Sequence, residues 1–152
     1  MNAGEFEKIV KKMKEKIKLE VIIEKEKNHF WGRIENNGFM PTGQGKSIEK
    51  LLQNIIMCIE DYVEHEGRKD KFWNKVTADT IEFQMRYDLQ SFFEEFGELK
   101  ISSIAKKAKL NESLVRQYAS GNKFPSIQQA KKIEMALHDL GKRLYNVTLF
   151  AV

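Results

Sequence analysis

Four polar side chains fall within six consecutive residues in the C-terminal third of the chain: Glu112, Ser113, Arg116 and Gln117. Arg can donate two hydrogen bonds to guanine, Gln can pair in a similar way with adenine, and a carboxylate can accept from cytosine N4. Serine, asparagine and lysine side chains, by contrast, commonly contact phosphate. Five residues around the first group are of these types: Lys106, Lys107, Ser120, Asn122 and Lys123. This combination predicts base recognition and backbone contacts on double-stranded DNA.

The segment 101–121 has the spacing of a helix-turn-helix. In this motif two short helices cross steeply over a tight turn, so the first helix needs a small residue at the crossing. Ala105 meets this need, and Asn111 is a favoured cap for the start of the second helix. The other matching positions are apolar or glycine: Ile104, Ala108, Leu110, Val115, Tyr118 and Gly121. The turn position that is usually glycine is Lys109, where a positive φ would cost about 1 kcal/mol.

The charge of the chain is unevenly distributed. The net charge is +4, but residues 100–152 contain ten Lys and Arg against three Asp and Glu, a balance of +7. Residues 19–87 contain ten basic and twelve acidic residues, and residues 1–18 contain six Lys and three Glu. A basic C-terminal module beside a slightly acidic middle indicates that only the former meets a polyanion.

Helix and strand patterns divide the chain into three parts. A helix over residues 5–18 is predicted by an apolar stripe of Phe6, Ile9, Val10, Met13 and Ile17. Strands are predicted at 19–26, 29–35, near Phe39 and Met40, and at 80–87, with a helix from Ser47 to Gly67. From Asp88 onward helices are predicted at 101–108, 111–120 and 126–140. Ile127, Ala130, Ile133, Leu137 and Leu140 form the stripe of the last of these helices.

The apolar, β-prone residues 147–152 predict an edge strand that joins the chain's own sheet or pairs across a dimer.

Taken together, the predicted helices and strands give an α+β fold class. A small β-β-β-α-β sheet domain (19–87) follows an amphipathic N-terminal helix (1–18). An all-α helix-turn-helix domain with a C-terminal strand (88–152) comes last. A single recognition module buries little surface, so a dimer on two half-sites is expected.

Two enzymatic patterns can be weighed against this interpretation. Gly43 to Ser47 is similar to the end of a phosphate-binding P-loop, but Met40 stands where that motif needs its first glycine. Carboxylates on the predicted strands could serve a metal-dependent nuclease: Glu20, Glu24, Glu35 and Glu82. They alternate with apolar residues, as solvent-facing charges do, and the three histidines lack ligand spacing. We therefore expect no catalytic residues, no metal and no cofactor.

Several segments resemble HicB-like antitoxins of type II toxin–antitoxin systems, over about residues 19–150. In the N-terminal part the resemblance rests on the paired strands and on Gly45-Lys46-Ser47-Ile48-Glu49 before an apolar helix. There the family commonly has Gly-Asp-Thr. In the C-terminal part it rests on residues 81–92, on Arg116-Gln117-Tyr118-Ala119-Ser120-Gly121 with Pro125-Ser126, and on residues 136–142. The N-terminal helix is not a feature of that family.

The resemblance implies a partial RNase H-like N-terminal domain and a C-terminal helix-turn-helix of the lambda-repressor/Cro type. It further implies an antitoxin that neutralises a HicA-like toxin, a small basic mRNA-cleaving RNase, and represses its own operon. The acidic stretch containing Glu60, Asp61 and Glu64 would suit such a basic toxin, although a solvated helix face explains it equally well.

Two alternatives remain open from sequence. One is a stand-alone dimeric repressor whose N-terminal domain senses a ligand or only dimerises, and the other is a residual RNase H-like nuclease. The single cysteine, Cys58, and the absence of an apolar run of about 18 residues favour a cytoplasmic protein without a membrane partner.

Overall fold

Alternating apolar residues build a four-stranded mixed sheet in the first part of the chain. The computed structural model describes residues 2–12, 15–36 and 38–152, and the chain divides into two compact units, Met1–Tyr87 and Asp88–Val152. The strands are β1 (Ile17–Glu26), β2 (His29–Arg33), β3 (Thr42–Gly45) and β4 (Ile81–Tyr87). Their order is β3-β2-β1-β4, with β1 antiparallel to β2 and parallel to β4. The predicted β-β-β-α-β order and the α+β class are confirmed.

One helix, α2 (Ile48–His65), covers a face of this sheet. Ser47 begins the helix as predicted, since its hydroxyl accepts a hydrogen bond from the Lys50 amide at 3.1 Å. Alternate residues of β1 face the helix, and together they form the core of the unit with β2 and with the connection after α2. The buried members of that core are Leu19, Val21, Ile23, Phe30, Ile34, Leu51, Ile55, Ile59, Trp73 and Val76.

The third strand lies at 42–45 and not near Phe39 and Met40, so that prediction is wrong in position. The strand passes close under α2, where a Cβ at Gly43 would lie 2.7 Å from Ile55 Cγ1. Phe39 instead stacks on Tyr62, with ring centroids 3.8 Å apart. Glycine can therefore form this strand because it permits a close approach to the helix, a requirement that β-propensity does not reveal.

The N-terminal helix is shorter than predicted. Helix α1 spans Ala3–Lys12, and β1 already begins at Ile17, whose amide donates to the Thr80 carbonyl at 2.7 Å. Ile17 was expected to continue the apolar stripe of the helix but pairs with Ile81 in the parallel ladder. Of the other stripe members, Phe6 is 59% exposed and Ile9 is 49% exposed, and Met13 lies outside the described residues.

Four helices form the second unit: α3 (Leu89–Glu95), α4 (Ile101–Ala108), α5 (Glu112–Ala119) and α6 (Ile127–Tyr145). Asp88 begins α3, because its carboxylate accepts from the Ser91 amide at 2.8 Å. The four helices enclose a second core, separate from the first. Its buried members are Phe93, Ile104, Ala105, Ala108, Val115, Tyr118, Ile133 and Ala136.

In the C-terminal part, residues 147–152 do not join the chain's own sheet, so that alternative of the prediction is wrong, and one member of the predicted α6 stripe is also placed wrongly. Residues 147–152 form no strand; Leu149 is 93% exposed and Phe150 is 87% exposed. An isolated strand gains nothing without a neighbour to bond to, and this segment pairs with none of the four described strands. Ile127 does not join the buried stripe of α6 but is 90% exposed at the first position of the helix, while Ala136 is buried.

No helix in the described ranges is both long enough and apolar enough to cross a bilayer.

Candidate nucleic-acid interface

The turn between α4 and α5 has the backbone geometry that a helix-turn-helix requires. Lys109 adopts a left-handed conformation, with φ 57° and ψ 41°. The Lys109 amide donates to the Lys106 carbonyl at 3.1 Å, and the Leu110 amide donates to the Ala105 carbonyl at 3.0 Å. This bond pair is a Schellman motif, which ends a helix and turns the chain sharply. The position expected to be glycine is therefore left-handed although it is lysine.

Replacing Lys109 with glycine is expected to stabilise the second unit by about 0.5–1 kcal/mol. The left-handed region costs a residue with a Cβ about 1 kcal/mol relative to glycine, and the greater freedom of glycine in the unfolded chain offsets part of this gain. Urea unfolding measures the change. Lys106→Gly, inside α4, is the matched control and should destabilise by about 1 kcal/mol. A Lys109→Gly chain less stable than wild type would contradict the presence of backbone strain at Lys109.

The crossing of α4 and α5 is tightly packed around small and apolar side chains. Ala105 at the crossing is 1% exposed, and Val115 on α5 is fully buried. Asn111 begins α5, since its side-chain oxygen accepts from the Leu114 amide at 3.2 Å. These positions were predicted from spacing, and the structure confirms their structural roles. The orientation of α5 is thus fixed by its buried face, which leaves the opposite face to solvent.

Gly121 ends the turn after α5 because its φ is +77°, a left-handed conformation that favours glycine. The Asn122 and Lys123 amides both donate to the Gln117 carbonyl, at 3.0 and 3.2 Å. The chain therefore folds back against the end of α5 and places Asn122 and Lys123 beside it.

The side chain of Gln129 joins α5 to the start of α6. Its oxygen accepts from the Tyr118 hydroxyl at 2.6 Å and from the Ser126 amide at 3.2 Å. The Ser126 hydroxyl accepts in turn from the Gln129 amide, which completes the predicted capping box. The bond from Tyr118 was not predicted, because nothing in the spacing of the sequence links residues 118 and 129.

The structure brings the four proposed base-contacting residues onto one surface of α5. Glu112, Ser113 and Arg116 are exposed, and Gln117 is partly exposed. The Arg116 guanidinium donates to one Glu112 carboxylate oxygen through Nη2 at 2.6 Å and Nε at 3.0 Å. The spacing of four residues, with Glu preceding Arg, is the favourable order for such a pair on a helix.

This ion pair does not prevent Arg116 from contacting a base. Both side chains are at least half exposed, and exposed pairs of this spacing contribute about 0.3–0.5 kcal/mol. A bidentate contact between Arg and guanine contributes about 1–3 kcal/mol of discrimination. The ion pair therefore orients Arg116 in the free protein, and it is weak enough to be broken or shared if the guanidinium contacts a base.

The five proposed phosphate contacts differ in their surroundings. Lys106, Ser120, Asn122 and Lys123 are exposed. Lys107 is 29% exposed, and its ammonium forms an ion pair with the Asp139 carboxylate on α6. Lys107 therefore joins α4 to α6 in the free protein, which no local sequence pattern indicates. The four exposed residues are the better placed for phosphate.

Replacing Asp139 with asparagine is expected to remove an acid-dependent part of the stability. The hydrogen bond and charge of Lys107 lower the pKa of Asp139 below its ordinary 3.8. A lowered native pKa stabilises the fold at pH above 3.8, and this stabilisation is lost as the pH falls through the native value. Urea unfolding from about pH 6 to about pH 2.5 measures it. The difference in free energy of unfolding between wild type and Asp139→Asn should shrink as the pH falls. A difference independent of pH would contradict the ion pair between Lys107 and Asp139.

The carboxylates of the nuclease alternative do not converge on a metal site. Arg33 donates to Glu24 at 2.8 Å and to Glu35 at 3.1 Å, and these bonds raise its pKa. Arg86 lies 3.5 Å from Glu20. No group of three or more metal-ligating side chains occurs among the residues that the structure describes. The contacts of these three carboxylates are with arginines.

The acidic residues proposed for toxin binding lie in the last two turns of α2. Glu60, Asp61 and Glu64 are all exposed or partly exposed, and Asp61 lies 3.3 Å from the His65 ring. A hydrogen bond to the Asp61 carbonyl and the Asp61 charge raise the pKa of His65. This surface carries negative charge and is open to a partner.

No protein-family model matches the chain, and neither a curated protein nor a solved structure matches it.

Proposed function

We propose that this chain is a sequence-specific DNA-binding repressor that uses α5 to contact bases in the major groove. The observation that carries the proposal is the arrangement of α4 and α5. Ala105 is buried where α4 crosses α5, the Schellman turn at Lys109 follows α4, and the polar face of α5 is exposed. In this docking mode the second helix contacts base edges near its start. Glu112, Ser113, Arg116 and Gln117 occupy that position.

The charge distribution supports the same proposal. The balance of +7 in residues 100–152 provides a sequence-independent attraction to DNA, and Lys106 and Lys123 are exposed on either side of α5 in the chain. These contacts position the protein, while α5 provides specificity.

Selection from a random duplex library tests the proposal. The full-length chain should enrich two related half-sites whose centres lie about 10–10.5 base pairs apart, or a multiple of that, since a dimer presents two recognition helices. The matched control is the chain with Arg116 and Gln117 both replaced by alanine, which should enrich no common sequence. Failure of the wild-type chain to enrich any sequence would contradict the proposal.

We further propose that the first unit neutralises a small basic toxin and that the DNA-binding unit represses the shared operon, as in the HicB-like antitoxins that the sequence resembles. The support is the acidic end of α2, formed by Glu60, Asp61 and Glu64. A basic partner would meet complementary charge there.

Co-expression with the neighbouring gene tests this second part. The chain should co-purify with a small basic protein and restore growth of cells that express it. Reversal of Glu60, Asp61 and Glu64 to lysine should abolish both effects. The matched control reverses three other exposed carboxylates of the same unit, Glu26, Asp79 and Glu82. Unchanged rescue by the first variant would contradict the proposed role of the acidic residues in toxin binding. Failure to co-purify any small basic protein would favour the stand-alone repressor.

A groove on the first unit favours that stand-alone alternative. It has a volume of about 520 Å³ and is lined in part by Trp31, Arg33 and Met57, of which Trp31 is 49% exposed and Met57 is 61% exposed. This volume is within the range of small-molecule sites. If the unit senses a ligand there, Trp31→Ala should abolish any ligand-induced change in DNA affinity while leaving the affinity of the free protein unchanged.

A further inference from the structure

Two large apolar side chains are exposed in the connection between α5 and α6. Phe124 is 86% exposed, and Ile127, at the first position of α6, is 90% exposed. Among the other described large apolar side chains before Leu144, none is more than 63% exposed. Single exposed apolar side chains are ordinary on a protein surface, so the surroundings of these two decide what they can contact.

The connection that carries Phe124 is held in place at both ends. On one side the amides of Asn122 and Lys123 donate to the Gln117 carbonyl at the end of α5. On the other side Ser126 begins α6 as part of the capping box. The ring of Phe124 is therefore exposed on an ordered loop, and little conformational freedom is lost when it contacts a partner.

The stretch of chain around Phe124 is basic. From residue 113 to residue 133 it contains no Asp or Glu. Four basic residues occur there: Arg116, Lys123, Lys131 and Lys132. The carboxylates that pair with Arg116 and Lys131 belong to Glu112 and Glu134, just outside this stretch. An apolar side chain in such a stretch suits a partner that is negatively charged and also presents small apolar groups.

Duplex DNA combines these two properties in its major groove. Phosphates border the groove, and each thymine presents its C5 methyl group there, a group that phenylalanine can contact. The Lys123 amide is bonded to the carbonyl of Gln117, a proposed base contact, and Phe124 is the next residue. Phe124 therefore lies beside the end of the proposed recognition surface, next to a proposed phosphate contact.

We infer that Phe124 contacts the C5 methyl group of a thymine in each half-site and so adds one base position to those that α5 recognises. Ile127, three residues later, provides a second apolar side chain at the same surface. The inference rests on the proposed function and adds to it a specificity-determining residue outside α5. Burial of one methyl-sized group corresponds to about 4-fold in Kd.

Deoxyuridine in place of thymine tests the contact, because it removes the methyl group and leaves the hydrogen-bonding edges intact. Each thymine of the selected duplex is replaced in turn, and fluorescence anisotropy measures the Kd of the full-length chain. At one thymine in each half-site the wild-type chain should lose about 4-fold in affinity. Phe124→Ala should bind the unsubstituted duplex about 4-fold or more weakly, and deoxyuridine at that position should weaken its binding no further.

Met135→Ala is the matched control, because it also truncates an exposed apolar side chain of the second unit. Met135 is 63% exposed and follows Ile127 by eight residues, or about 12 Å along α6. This variant should bind every duplex like the wild-type chain. Wild-type affinity of Phe124→Ala, or an equal loss on selected and scrambled duplexes, would overturn the inference.

Failure of this contact can be distinguished from failure of the proposed function. A wild-type chain that selects no duplex would contradict the proposed function itself. Sequence-specific binding in which no effect of deoxyuridine depends on Phe124 would overturn the inference alone. If Phe124→Ala keeps its DNA binding but no longer co-purifies with a small basic protein, the exposed ring contacts a protein, and the inference is likewise overturned.

Discussion

Replacing Arg116 with alanine is expected to weaken binding to the preferred duplex by about 1–3 kcal/mol, or roughly 5- to 150-fold in Kd. Arg116 is exposed on the proposed recognition surface of α5, and its guanidinium can donate two hydrogen bonds to guanine. The loss should be confined to one base position, where the variant tolerates any base. Fluorescence anisotropy with duplexes substituted at each position measures both effects.

The ion pair with Glu112 is exposed and contributes about 0.3–0.5 kcal/mol, so Arg116→Ala leaves the fold intact. Lys123→Ala is the matched control, since it removes one positive charge beside α5 without a base contact. It should weaken binding to all sequences alike and reduce the slope of log K against log salt by about one. An Arg116→Ala chain with wild-type affinity and selectivity would contradict the proposed role of α5.

Replacing Trp73 with alanine is expected to destabilise the first unit by about 3–5 kcal/mol. Trp73 is 1% exposed and contacts Phe39 and Phe72 edge-on, at centroid distances of 5.3 and 5.1 Å. Asp70 fixes its position by accepting from the amides of Phe72 and Trp73 at 2.9 and 3.1 Å. Removal of the large side chain therefore leaves a cavity that the surrounding core fills only in part.

Hydrogen exchange resolved by segment measures this effect in each unit. In Trp73→Ala, amides of α2 should lose protection, while those of α6 should keep it because the second unit has its own core. Trp73→Phe is the control. It keeps most of the packing and removes an indole N–H that has no hydrogen-bond partner among the described residues, so it should cost much less. Equal loss of protection in α2 and α6 would contradict two independent cores.

The features that sequence predicted correctly are encoded within a few neighbouring residues. Asn111 caps α5 and Ser126 with Gln129 caps α6, because each motif needs only residues three positions apart. The position of the turn at Lys109 followed from its distance to Ala105 and Leu110, although lysine at that position was a departure from the motif. The face of α5 that carries Arg116 followed from the apolar spacing of Val115 and Tyr118 in the same way.

The features that sequence missed depend on contacts between distant residues. Ile17 belongs to β1 because it pairs with Ile81, and the position of β3 depends on the approach of Gly43 to α2. The pairing of Lys107 with Asp139 joins residues 32 positions apart. The predicted strand at 147–152 has the right residue types, but a strand also needs a neighbouring edge, which the single protomer does not offer.

We propose that α5 recognises a specific DNA sequence. The most direct measurement compares the Kd of the full-length wild-type chain for the selected duplex with its Kd for a scrambled duplex of equal composition, at about 150 mM salt. We predict tighter binding to the selected duplex by about 10³-fold or more. Equal affinity for the two duplexes, or no binding to either, would contradict the claim.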